Sequence, residues 1–139
     1  MRRNLHVSDL GDLLELPLLA VLATYRTGGS VLLSPVWHEW RLDGFDVVTG
    51  REDVKARHIR RDTRASIVVC EHVPPYRGVE LRCRAKLLDT GVEEAVHRIA
   101  VRYLGERAGA AWAEQSADDM LIRLEPGSLR AWDFADEYA

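Results

Sequence analysis

Hydrophobic positions along the chain follow two periods, and the switches between them outline the elements. Leu18 to Tyr25 is a nearly unbroken apolar run that reads as a buried strand. Arg26-Thr27-Gly28-Gly29-Ser30 is a hairpin turn, and Val31 to Arg41 reads as a second long strand. Pro35 inside it lacks the N–H that a central ladder needs, which predicts an edge strand or a bulge. Leu42-Asp43-Gly44 turns the chain into a third strand, Phe45 to Thr49. The period then becomes helical from Arg51 to Asp62, with acids at the start and bases at the end, the order that suits the helix dipole. Ala65 to Cys70 returns to strand.

Later segments repeat the alternation. Val79, Leu81, Cys83, Ala85 and Leu87 fall on one face of a strand, opposite Glu80, Arg82, Arg84 and Lys86. Thr90 is placed to cap a helix over Val92 to Leu104, Gly105 to Gly109 predicts a break, and Ala110 to Gln115 a short second helix. Met120 to Pro126 and Ser128 to Phe134 predict a last strand with a proline break. Near the start, Ser8 to Leu16 suits a short helix capped by Ser8 and ended by Pro17. Six or so antiparallel strands, hairpins first, with helices outside them, predict a mainly β barrel in one domain over residues 1–139.

Composition narrows the function more than the fold. A formal charge of −3 argues against a nucleic-acid binder, whose phosphate contacts require a basic excess. No apolar run approaches the roughly 20 residues of a membrane helix, and the arginines at the start have no apolar segment behind them, so a cytosolic protein is expected. Cys70 and Cys83 both fall in predicted strands without a CxxC spacing, which makes them reduced packing residues. The five histidines form no compact ligand set, so no metal is expected; hydrolase, dinucleotide-binding and P-loop signatures are absent.

The handover from strand to helix at Thr49 carries the chemistry. Free N–H groups at a helix start, the Thr49 hydroxyl and the cations Arg51 and Lys55 can converge there on an anion. Lys55 is one of two lysines in a chain whose bases are otherwise arginine. This segment reads as a phosphate anchor for a bound cofactor, with Arg60 and Arg61 a solvated helix end. Trp37 and Trp40, three apart, face opposite sides of a strand, so one packs inward while the other is free to wall a pocket; Trp112 reads as helix packing.

The hairpin Leu22-Ala23-Thr24 to Pro35-Val36-Trp37, followed by Thr49 to Asp62 and the strand after it, resembles the pyridoxamine 5′-phosphate oxidase-like split β-barrel family, FMN-binding type. Its actinobacterial branch that uses coenzyme F420, a deazaflavin, is the nearest in pattern. The similarity spans roughly Leu18 to Leu88 and weakens towards Phe134; Thr63 stands where many relatives have proline. The resemblance implies that Lys55 contacts the cofactor phosphate with Thr49 and Arg51, and Arg57 less directly. It implies that the backbone at Ser34, Pro35 and Val36 lies along the ring, and that Trp132 reaches across a homodimer whose interface holds two cofactor sites.

The implied activity is hydride transfer from F420 to a small electron-poor organic substrate. His38, beside the ring site, is a candidate proton donor or substrate contact, or a strand histidine with a satisfied hydrogen bond. Arg51, Arg57 and Arg77 would meet the acidic F420 tail. The alternatives are an FMN oxidoreductase of the same fold and a non-catalytic flavin, haem or bilin carrier.

Overall fold

In the computed structural model, which describes residues 1–116 and 118–138, seven strands form one antiparallel sheet curled into a half-barrel. Chain order runs β1 (Ala20–Tyr25), β2 (Val31–Val36), β3 (Glu39–Arg41), β4 (Gly44–Gly50), α1 (Val54–Arg61), β5 (Arg64–Cys70), β6 (Gly78–Leu88), α2 (Val92–Leu104), α3 (Glu106–Glu114) and β7 (Asp119–Trp132). Spatial order is β2-β1-β5-β6-β7-β4-β3. Because β4 and β5 are consecutive in the chain but separated by β6 and β7 in the sheet, α1 must cross the barrel to join them. It buries Ala56 and Ile59 as it does so, and its His58 Nδ1 lies 2.9 Å from Thr24 Oγ1 of β1. Arg60 and Arg61, although exposed, hold the far end: Arg60 donates to the Arg51 carbonyl at 2.8 Å, and Arg61 to the Tyr25 carbonyl.

Local chemistry accounts for most boundaries. Leu42 and Asp43 have φ of +52° and +54°, the two left-handed residues that a tight two-residue hairpin needs between β3 and β4. The Arg26–Ser30 turn joins β1 to β2, with Gly28 and Gly29 at φ +95° and +93°. Pro35 sits on β2, an edge of the sheet, where its missing N–H costs no ladder bond. Along β6, Val79, Leu81, Cys83 and Ala85 are buried, while Arg82, Arg84 and Lys86 are exposed. The core they enter is built from Leu22, Phe45, Val47, Ile67, Ile122 and Leu124.

Several boundaries differ from the pattern-based expectation. The long second strand breaks at Trp37-His38 into β2 and β3, because the backbone leaves one edge of the curl and re-enters at the other. The first helix is two 3₁₀ turns, Val7–Leu10 and Leu13–Glu15, with His6 and not Ser8 at the cap. Gly91, at φ +70°, precedes α2 in place of Thr90. Gly109 does not break a helix but lies inside α3, where a Cβ would meet the Val101 backbone at 2.5 Å; the glycine lets α3 lie against α2. β7 is continuous across Pro126, and a bulge opposite Arg82 absorbs the mismatch. Cys70 and Cys83 are free thiols, and burial pushes the Cys83 pKa up to about 12. Among the described residues no helix is long and apolar enough to cross a membrane, and no three His, Cys, Asp or Glu are grouped to hold a metal.

Candidate functional site

The end of β4 and the start of α1 meet at Gly50, and three donors converge there. Thr49 is buried, and its hydroxyl donates to Asp53 Oδ2 at 2.9 Å. The Gly50 N–H reaches the same oxygen at 3.1 Å, and Lys55 Nζ lies 3.4 Å from it. These contacts and the Lys55 charge hold the Asp53 carboxyl below its ordinary pKa. A hydroxyl, a main-chain N–H and an ammonium aimed at one anionic oxygen form an anion seat, here facing the protein's own carboxylate.

The seat opens into a cleft of about 370 Å³. It is lined by Pro35 and Val36 of β2, by Trp37, by Val96 and Ile99 of α2 and by Trp112 of α3. The Trp37 ring stacks on Tyr103 with centroids 5.0 Å apart and 7° between planes, and Trp112 tilts against it at 5.7 Å. The cleft therefore has a flat aromatic and apolar part and a polar end at Thr49, Gly50, Lys55 and Asp119. Asp119 pairs with Gly50 across the ladder; burial, then the charges of Asp53 and Asp118, raise its pKa.

Of the residues singled out from sequence, Lys55, Thr49, Pro35 and Val36 come together in this cleft. Ser34 lies one position back on β2, half-buried and outside the lining. Arg51 pairs with Asp118 at 3.1 Å and is not part of the lining, and Arg57 is exposed on α1 outside the lining. Arg77 is outside the lining, bound to Glu71, Asp12 and the Leu10 carbonyl. Trp132 stands at the opposite end of the fourteen-residue β7, against Gly78 and under Arg130.

His38 does not reach the cleft. It is fully buried against Phe45 and Tyr103, its Nδ1 is 3.0 Å from the Tyr103 hydroxyl, and burial lowers its pKa to about 4. A neutral, enclosed imidazole is not placed to donate a proton to a ligand there. Trp40 takes the inward role, edge-on to Phe45 at 4.9 Å, while Trp37 walls the pocket. Sequence reasoning missed Trp112, Asp53 and Asp119. Asp53, three residues after Gly50 and just ahead of the helical period, carried a readable signal as a helix-start aspartate; the other two are brought in by long-range packing.

A family model for pyridoxamine 5′-phosphate oxidase matches residues 9–133. No curated protein matches the chain in sequence. Among solved structures, a conserved hypothetical protein of Mycobacterium tuberculosis superposes with a TM-score of 0.80 at 21% identity, covering 97% of this chain and 89% of the other. An F420 reductase superposes with a TM-score of 0.72 at 24% identity, over 85% and 93%. A haem storage protein of Vibrio cholerae does so with a TM-score of 0.68 at 20% identity, over 88% and 92%.

Proposed function

From its place in the pyridoxamine 5′-phosphate oxidase family, to which the chain belongs, we propose that this protein is a cytosolic, homodimeric oxidoreductase. Its cofactor would be coenzyme F420, with FMN the alternative in the same cleft. The observation that carries the reading is the convergence of Thr49, Gly50 and Lys55 on one anionic oxygen at the polar end of an otherwise apolar, aromatic cleft. That arrangement suits a planar ring joined by a flexible chain to a phosphate. The likeness to an F420 reductase favours the deazaflavin.

When bound, the cofactor supplies the hydride, delivered to an electron-poor acceptor such as a conjugated enone or quinone. The chain's own residues bind and orient. Lys55 neutralises a phosphate charge, Thr49 and Gly50 fix the position of one oxygen, and Pro35, Val36 and Trp37 form a wall that keeps water from one side of a ring. Tyr103 backs the Trp37 ring and holds it flat. No nucleophile is required, and the proton that completes the reduction comes from solvent through the open side of the cleft. A second copy of the chain would cover Leu19 and Leu33, apolar residues now 50% and 65% exposed.

The test is a fluorescence titration of the purified protein with F420, FMN and riboflavin. Lys55→Ala should weaken binding of either phosphorylated cofactor about 10- to 100-fold, the scale of a charge-assisted hydrogen bond, and leave riboflavin unchanged. Equal affinity of wild type and variant for F420 and FMN would refute the phosphate seat. Turnover separates enzyme from carrier: substrate should accelerate oxidation of the reduced cofactor, where a carrier would protect it.

A further inference from the structure

The anion seat contains an anion of its own. Asp53 stands at the N-cap of α1, yet its side chain does not cap that helix; it turns back to Thr49 and Gly50. Its Oδ2 takes all three donors of the seat, and it lies close over Gly50, where a Cβ would come within 3.1–3.3 Å of the carboxylate. Asp119 lines the same end of the cleft. Among the described lining residues, Lys55 is the one fixed cation, against these two carboxyls. An incoming phosphate must share donors with Asp53 or displace it, and either way its repulsion grows with its own charge.

The candidate cofactors differ in that charge. A phosphomonoester such as that of FMN ionises a second time near pH 6 and carries about −1.5 to −2 at pH 7. The phosphodiester that joins the ribityl chain of F420 to its tail has no second proton to lose and carries a single charge. On the reading of the cleft as a phosphate seat, we propose that Asp53 acts as a charge filter, making the seat prefer a singly charged phosphodiester to a doubly charged phosphomonoester. Asp53 is then the residue that sets which class of phosphate the cleft accepts. Half of its side chain is exposed, so solvent screens the repulsion and the discrimination is moderate.

The experiment measures F420, FMN and riboflavin affinities for wild type, Asp53→Asn, Asp53→Ser and Lys55→Ala. Asparagine keeps an oxygen for Thr49 and Gly50 and removes the charge; serine also starts helices well and guards against a folding defect in the first variant. Both Asp53 variants should tighten FMN about tenfold and F420 threefold or less, with riboflavin unmoved. Equal gains for FMN and F420, or no gain for FMN, overturn the filter. In that case a Lys55→Ala variant that still weakens both cofactors leaves the phosphate seat standing and removes only the role of Asp53. A Lys55→Ala variant that moves neither removes the seat itself, and the filter with it.

Discussion

Acidification should destabilise the fold through His38. The Tyr103 hydroxyl has one proton, which it donates to the Leu18 carbonyl at 2.7 Å; it then accepts from the His38 main-chain N–H at 3.1 Å and from Nδ1 at 3.0 Å. The network therefore assigns the proton to Nδ1 and leaves Nε2, which has no partner, as a bare acceptor in the core. A second proton on that ring would create a cation in a fully buried site close to Arg102, whose Nε donates to the His38 carbonyl at 3.1 Å. Burial first, and Arg102 second, lower the His38 pKa from 6.5 to about 4. The unfolded chain takes its proton near 6.5 and the folded chain near 4, so between these values the unfolded state holds more protons. Stability from His38 is then complete above pH 6.5 and is lost as pH falls through this window.

At about 1.4 kcal/mol per pKa unit the full loss is about 3.5 kcal/mol, of which about 2.5 kcal/mol should be gone at pH 4.5. Urea midpoints of wild type and His38→Asn at pH 7 and pH 4.5 read the difference, because other titrating groups, His58 among them, are common to both chains. Wild type should lose about 2.5 kcal/mol more than the variant. Parallel losses would refute the buried neutral imidazole, and a variant that loses turnover alone would return His38 to the chemistry.

Three further outcomes follow from the same contacts. Arg102→Ala should cost about 2–4 kcal/mol in urea unfolding, because the guanidinium donates to the carbonyls of Leu14, Glu15, Leu16 and His38 and its removal orphans part-buried acceptors. Gly109→Ala should lower the melting temperature by several degrees, since the new methyl meets the Val101 backbone and must push α3, with Trp112, away from α2. Trp112→Ala, at a residue half-exposed on the cleft, should change unfolding by less than about 1 kcal/mol yet weaken flavin or deazaflavin binding, riboflavin included. Unaltered riboflavin affinity in Trp112→Ala would take the ring away from that wall.

How much of this was readable in the chain depends on how local each feature is. The period-two alternation of β6, the Gly28-Gly29 turn and the edge strand marked by Pro35 follow from residues a few positions apart, and the structure places them accordingly. Although Asp53, in the same stretch, was passed over, the approach of Thr49 and Lys55 was legible for the same reason, since both lie within one strand end and one helical turn. The break at Trp37-His38, the burial of His38 under Tyr103, the commitment of Arg77 to Asp12 and Glu71, and the approach of Trp112 to the cleft were not.

Sequence by itself determined the antiparallel strands, the helix after Thr49 and the placing of a hydroxyl and a cation at its start, because backbone periodicity and capping act over a few residues. Only the tertiary structure decided what covers each apolar face: α2 and α3 bring Val96, Ile99 and Trp112 to the cleft, and Tyr103 takes His38 out of reach. An apolar stripe reports that a partner exists, but the identity of that partner is settled by the curl of the sheet and by close approaches such as Gly109 on Val101, which leave no period in the sequence.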